Sequence, residues 1–300
     1  MITVFGSANM DLVAYVDRAP RLGETVTGRA FRTVPGGKGA NQAIAAARAG
    51  AEVSFLGAVG DDGFGVMLRT TLVDAGVDVS ALRQVPGSSG IAHIVVDGSG
   101  ANSIIVVPGA NGAVDGPTPG ESALIAASRA LLLQLELPLE AVTAAAAAAR
   151  EAGVPVVLTP APSRPLPEEL VKAVTLLVPN EHEAADLTGV ADPAAALDRL
   201  LDLVPEAVIT LGSRGALYGS REGERLEVPA VPVRAVDTTA AGDTFAGALA
   251  VARAEGRPPA EALRFATVAA SISVRREGAS TSMPTRQEID AALRDADETG

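Results

Sequence analysis

Cysteine is absent from this chain of 300 residues, which excludes a disulfide framework, thiol catalysis and a thiolate metal site. Histidine occurs only as His93 and His182, too few for a multi-histidine metal centre. A hydrolase built on either has no GxSxG nucleophile elbow to support it. Basic residues are in deficit, 24 against 36 acidic ones for a net charge of −12, so no cationic excess exists to neutralise a nucleic-acid backbone. Long hydrophobic runs are missing too. Alanine-rich stretches such as AVTAAAAAA (141–149) fall short of the roughly 20 apolar residues a membrane span needs. The N-terminus, MITVFGSANMD, lacks a basic region followed by an apolar one and reads as a first strand rather than a signal peptide, so a cytoplasmic protein is expected. Two common nucleotide motifs are also lacking. There is no GxxxxGK[ST] loop, and the first strand runs into GSANMD rather than GxGxxG.

What is present is a 48% hydrophobic chain in which strand and helix patterns alternate. Strands are expected at ITVFG (2–6), VSFLGAV (53–59), ALLLQLE (130–136), VPVVLTP, TLLVPN, EAVITLG (206–212) and along VPAVPVRAV (228–236). Helices are expected at 41–49, 64–76, 138–152, EHEAADLTG and near 241–255, 259–275 and 285–296. Such alternation predicts an α/β fold with a parallel sheet covered on both faces. Residues 12–35 and 91–107 break the rhythm, the latter reading as a hairpin about Gly98–Gly100, and both read as β insertions forming a small accessory sheet. No linker or internal repeat divides the chain, so one domain over 1–300 is expected.

Several strand ends carry polar residues, where ligands of open α/β sheets bind. In GSANMD (6–11), Asn9 and Asp11 could hold vicinal hydroxyls or form an ordinary Asx turn. In PGGKGANQA (35–43) three glycines would let backbone approach a ligand near Lys38 and Asn41, or simply make a flexible loop. Glu136 closes an apolar strand, as a hydroxyl acceptor or a solvated end. In PNEHE (179–183), Asn180 and Glu183 share a helical face and suit magnesium or its waters, yet equally an N-cap with a first-turn acid. Thr210, Gly212 and Gly215 of ITLGSRGA (209–216) could line a nucleotide or a plain hairpin.

DTTAAGDTF (237–245) is the most pointed of these stretches. A helix start offers unpaired N–H groups and the positive end of a dipole, and Ala240, Ala241 and Gly242 leave them open to a phosphate. A carboxylate beside that anion, Asp243, makes sense as a proton acceptor for an attacking hydroxyl. The competing reading has Asp237 or Thr239 cap the helix while Asp243 complements its dipole.

Together GGKGANQA, FLGAVGDDGFG (55–65) and DTTAAGDTFAGALA resemble the signatures of the ribokinase-like carbohydrate kinases, the phosphofructokinase-B family, and the resemblance runs from GSANMD to GASTSMP (278–284). It implies a three-layer α/β/α sandwich with a mostly parallel central sheet and a small β lid supplied by 12–35 and 91–107. It implies ATP-dependent phosphorylation of a sugar, with the 5-hydroxyl of D-ribose as expected acceptor. By resemblance Asn9, Asp11, Gly37, Lys38, Asn41 and Glu136 face the sugar, and Asp243 is the general base. The N–H groups of Ala240 through Asp243 form an anion hole, Asn180 and Glu183 position magnesium and phosphates, and Thr210, Gly212 and Gly215 line the ATP site. Asp237, Thr239, Ser273, Arg276, Gly278 and Ser282 match the loops that hold an activating monovalent cation, usually potassium. A homodimer through the lid is implied. The family signature often has glycine where Ala240 stands. Rival readings are a kinase of deoxyribose, a ketohexose, 2-keto-3-deoxygluconate or a nucleoside, and a non-catalytic sugar- or nucleotide-binding regulator.

Overall fold

The computed structural model describes residues 1–299, with side chains through Asp295. The first half of the chain forms β1 (Ile2–Phe5), β2 (Asn9–Tyr15), β3 (Ala30–Gly36), α1 (Lys38–Arg48), β4 (Val53–Gly60), α2 (Gly63–Asp74), β5 (Leu82–Val85), β6 (Gly90–Val96), β7 (Asn102–Val107), α3 (Pro119–Ala126), β8 (Leu131–Leu133) and α4 (Leu139–Glu151). The second half forms β9 (Val156–Leu158), α5 (Glu168–Ala173), β10 (Leu176–Leu177), α6 (Glu181–Thr188), α7 (Pro193–Leu203), β11 (Glu206–Thr210), β12 (Ala216–Ser220), β13 (Arg225–Val228), α8 (Ala241–Ala254), α9 (Pro259–Ser273) and α10 (Arg286–Thr299).

A nine-stranded sheet has the order β13-β12-β11-β10-β9-β8-β1-β4-β5. It is parallel from β11 to β5, and β12 and β13 add an antiparallel edge. Side chains of its central strands alternate between two cores. Val4, Leu132, Val157 and Val208 pack with α1, α8 and α9, whereas Phe5, Leu133, Leu158 and Ile209 pack with α3, α4 and α7. Both faces are therefore dry, which is why these strands read as unbroken apolar runs. The result is the expected three-layer arrangement.

The sheet order reverses at β1, which has β4 on one side and β8 on the other. Such a switch point opens a crevice at the carboxyl ends of the strands. Above it lies a separate four-stranded sheet, β3-β2-β6-β7, made from the two segments expected to be β insertions.

Several sequence expectations need correction. VPAVPVRAV is strand only in its first residue: β13 ends at Val228 and residues 229–240 form no strand. Pro229 and Pro232 alternate with valines like a strand but cannot donate to a ladder. ALLLQLE and TLLVPN shrink to Leu131–Leu133 and Leu176–Leu177. Helices α3, α5 and α7 were not foreseen, although α7 opens with an Asp192 cap followed by proline. Among the described residues no helix is long and apolar enough to cross a membrane.

The glycines of PGGKGAN make room for protein rather than ligand. A Cβ on Gly37, whose φ is 92°, would lie 2.7 Å from the Asn9 nitrogen, and one on Gly36 would lie 2.5 Å from an Asp11 carboxylate oxygen. A Cβ on Gly39 would come within 2.5 Å of the Ser7 nitrogen and 2.6 Å of the Gly6 carbonyl carbon. The start of α1 is thus pressed against the GSANMD turn. Backbone cannot yield as a flexible side chain would, so Gly39→Ala is expected to cost about 3 kcal/mol in urea unfolding. Gly63→Ala, where a Cβ meets nothing within 4 Å, should cost far less, and equal losses would contradict this account.

Candidate active site

The crevice gathers polar groups from distant parts of the chain. Glu136, just past β8, accepts hydrogen bonds on Oε2 from Ser7 Oγ (2.5 Å), the Lys38 backbone N–H (3.0 Å) and Asn9 Nδ2 (3.4 Å). Asn9 Oδ1 in turn accepts from Asn111 Nδ2 at 2.7 Å, and Asn111 also clasps the backbone of Ala8, donating to its oxygen and accepting from its nitrogen, both at 3.1 Å. Asp243, in the first turn of α8 and 7% exposed, accepts from Asn41 Nδ2 on one oxygen and Gln42 Nε2 on the other, both at 3.1 Å.

The electrostatics tie these groups together. Burial, reinforced by the charges of Glu136 and Asp243, pushes the Asp11 carboxyl up to about 7, against a lowering pull from Lys38. Burial also raises Asp243, and so does the charge of Glu136, while Lys38 and the two amide donors hold it back. For Lys38, burial disfavours the charge, but Asp243, Glu136, Glu183 and Asp11 outweigh it and its pKa rises. Asn9, Asp11, Lys38, Asn41, Glu136 and Asp243 therefore form one polar cluster. Asn41 Oδ1 is buried there with no hydrogen-bond partner.

Next to the cluster, α8 begins without a side-chain cap. Its N-cap is Ala240, whose φ of 58° makes it the one non-glycine residue with positive φ among those described. That conformation costs an alanine on the order of 1 kcal/mol, a strain that glycine at this position would not carry. Asp237 does not cap the helix. Its carboxylate accepts from the N–H groups of Thr239 and Gly278, both at 2.9 Å, and so joins two loops. Burial pushes Asp237 up, but those bonds prevail and hold it below the usual carboxylate range. Arg276 and Ser282 lie on the second of these loops and Ser273 ends α9 just before it: the Arg276 N–H donates to the Ser273 carbonyl (3.0 Å), and the Asp237 N–H to that of Val274 (3.2 Å). One part of the expected anion hole is occupied, because the Ala241 N–H turns back onto the Thr238 carbonyl at 3.2 Å.

A cavity of about 510 Å³ runs from the α8 start, at Ala241 and Gly242, to Thr210 at the end of β11 and Gly212 and Gly215 beyond it. Gly215 is glycine for a structural reason, since a Cβ there would strike the Val228 carbonyl at 2.0 Å. At Gly242 a Cβ would meet nothing within 4 Å. Asn180 bridges to Thr210 beside this cavity and caps α6: its Oδ1 accepts from the N–H of Glu183, whose Oε2 accepts from the Asn180 N–H. Burial raises Glu183. His93 and His182 are both exposed, on β6 and α6.

Sequence reasoning missed Ser7, Gln42, Asn111 and Thr267. Thr267 lines the cavity from α9 with a buried hydroxyl that lacks a partner. Gln42 adjoins Asn41 in a string already singled out, but nothing local marks Asn111 or Thr267.

A switch-point crevice pairing a polyol-like polar cluster with an uncapped helix start is the layout of a phosphotransferase. The pfkB family carbohydrate kinase model matches residues 1–286, and the chain belongs to that family. It is similar to the ribokinase of Schizosaccharomyces pombe, 45% identical over 97% of both chains, and to that of Bacillus subtilis, 45% identical over 97% of this chain and 99% of the other. Among solved structures it is similar to Arabidopsis thaliana ribokinase complexed with ribose and ATP, with a TM-score of 0.93, 35% identity and 98% of each chain covered.

Gly242→Ala separates helix stability from function at this site. Alanine improves a helix by up to about 1 kcal/mol, so the melting temperature should hold or rise. The added methyl enters the cavity at the helix start, so kinase activity should fall by roughly tenfold or more. Full activity in the variant would show that this end of the cavity is not used.

Proposed function

We propose that this chain transfers the γ-phosphoryl group of ATP to the 5-hydroxyl of D-ribose, giving D-ribose 5-phosphate and ADP. The observation that carries the reading is Asp243: a buried carboxylate of the polar cluster, in the first turn of an uncapped helix whose start at Ala241 and Gly242 lines the cavity. Asn9, Asp11, Lys38, Asn41, Glu136 and the Gly37 backbone hold the sugar. Carboxylates accept from its hydroxyls, and amide and ammonium groups donate to its oxygens. The ATP relatives bind fits the cavity that Thr210, Gly212, Gly215 and Gly242 line.

Asp243 accepts the proton of the 5-hydroxyl as that oxygen bonds to phosphorus and the β–γ bridging oxygen leaves with ADP. A largely dissociative transfer makes the hydroxyl acidic only late, so positioning matters more than basicity. The α8 dipole and the N–H groups of Ala240, Gly242 and Asp243 stabilise the charge on the transferring group, with Ala241 joining if it releases Thr238.

Among the described residues no group of three or more His, Cys, Asp or Glu side chains is arranged to hold a metal. Magnesium keeps several waters and leans on substrate phosphates, so the Asn180–Glu183 pair, reaching it through water, fits such an ion. Magnesium neutralises phosphate charge when bound. Asp237 stays anionic where it joins the loop before α8 to the loop after α9, and oxygen donors of this kind suit potassium; Thr239, Ser273, Arg276, Gly278 and Ser282 would supply the remaining oxygens. The ion would steady the loop that leads into α8.

We read the whole chain as one kinase domain with the small sheet as a lid that excludes water. We also propose a homodimer. All six residues of β7 are exposed, Ile104–Val107 among them, and β7 is a free edge of the small sheet. An open apolar edge invites pairing, here with a second copy. A cytoplasmic setting goes with the use of ATP.

The test is ADP release from ATP and magnesium across a panel of sugars and nucleosides, with and without potassium. Turnover confined to ribose and stimulated by potassium is expected. Turnover on another sugar alone would move the substrate, and none on any from folded protein would overturn the reading. In Asp243→Asn, kcat should drop by about 10²–10⁴, the range of a general base. A variant keeping most of its kcat would remove Asp243 from that role.

A further inference from the structure

Asp243 does not find its orientation by itself. Gln42 Nε2 donates to Asp243 Oδ1 (3.1 Å) and to Thr159 Oγ1 (3.2 Å), so both of its amide hydrogens are committed. Its oxygen, Oε1, accepts from Gln134 Nε2 at 2.7 Å. Gln42 is 1% exposed and Gln134 is equally buried. The three partners come from separate elements: Gln134 follows β8, Thr159 follows β9, and Asp243 opens α8. Gln134 packs closely on Gly6, where a Cβ would overlap its Oε1 at 2.2 Å, and that oxygen is buried without a hydrogen-bond partner, so the amide is held by its bond to Gln42. The sequence reading used neither glutamine.

We infer that Gln134 and Gln42 form a directional amide relay whose role is to hold the Asp243 carboxylate in place and ionised for proton acceptance. An amide has a donor end and an acceptor end. If Gln42 turned over, its oxygen would face a carboxylate and its NH₂ would face the NH₂ of Gln134, so two attractive contacts would become two repulsive ones. The bond from Gln134 therefore reinforces the orientation of Gln42 that the Asp243 carboxylate itself selects. A hydrogen bond to the anion favours ionisation, and it is stronger for being charge-assisted. That matters here because burial works against the ionised form. The other charged groups acting on Asp243 are Lys38 on α1, Glu136 after β8, Asp11 on β2 and Glu183 on α6. The relay leaves these untouched. Gln42 and Gln134 are positioning residues: they act through Asp243. The inference rests on the reading of Asp243 as the base.

The test is the pH dependence of kcat at saturating ribose and ATP, which reports groups in the bound complex. Gln42→Met removes the donor. Its acidic limb should move to higher pH, by about one unit, with kcat at pH 7 down roughly tenfold or more and KM for ATP within about twofold. Gln134→Met leaves each bond to Asp243 in place and only frees Gln42 to turn, so the same limb should move in the same direction by less. An acidic limb at the wild-type position in Gln42→Met, however far kcat falls, would overturn the relay while leaving the kinase reading intact. Should Gln42→Met fail to fold, Gln134→Met decides alone, and an unmoved limb there overturns the inference. A wild type without ribose-dependent turnover would instead sink the kinase reading on which the relay depends.

Discussion

The Lys38 ammonium faces four carboxylates, those of Asp11, Glu136, Asp243 and Glu183, and the site depends on that imbalance. Burying an ion costs several kcal/mol unless partners compensate it, and one cation cannot neutralise four acids. Part of the excess is relieved at Asp11, whose carboxyl is pushed up to about 7 and so is partly protonated near neutral pH. The rest is met by neutral donors, with Ser7, Asn9 and the Lys38 N–H on Glu136 and two amides on Asp243. On the proposed reading a sugar would bring hydroxyl donors to acids that lack enough of them, so the free site is charged in a way a polyol can relieve.

The second constraint is the approach of α1 to the GSANMD turn. Gly37 and Gly39 allow backbone to lie against backbone while Gly36 clears the Asp11 carboxylate, and this brings Lys38 and Asn41 to the carboxyl ends of β1 and β8. The Asn111 clasp on Ala8 and Asn9 fixes the same turn from the opposite direction. On the far side of the crevice the strained Ala240 lets the chain enter α8 without a cap, so the helix start faces the cavity. Strain of this kind persists where the surroundings over-determine it, and here it lies one turn from the buried Asp243 carboxylate.

Much of this was legible in the sequence because it depends on local chemistry. Strand–helix alternation gave the layers, and the two segments without helical period became the small sheet. Asn9, Lys38, Asn41, Glu136, Asp237 and Asp243 stood out because polar residues at strand ends and helix starts are readable one segment at a time. Illegible features depended on contacts across the fold. Asn111 meets Asn9 across 102 residues and Gln134 meets Gln42 across 92, and no local pattern encodes such pairings. The PGGKGAN glycines could be seen, but not what they approach. Pro229 and Pro232 imitated a strand because hydrophobic alternation survives the loss of an N–H, whereas the ladder does not.

The central claim is that the free site holds more acid than its cation can balance and that the sugar relieves it. Calorimetric titration of D-ribose into the full chain at pH 7, in buffers of different ionisation enthalpy, counts the protons exchanged. Hydroxyl donors stabilise the Asp11 anion and pull its pKa down from about 7, so binding should release a proton fraction of up to about one half. Release should fade at lower pH, where Asp11 stays protonated in both states, and at higher pH, where it is already ionised. Tight ribose binding with no proton exchanged at pH 7, or proton uptake, would contradict the account.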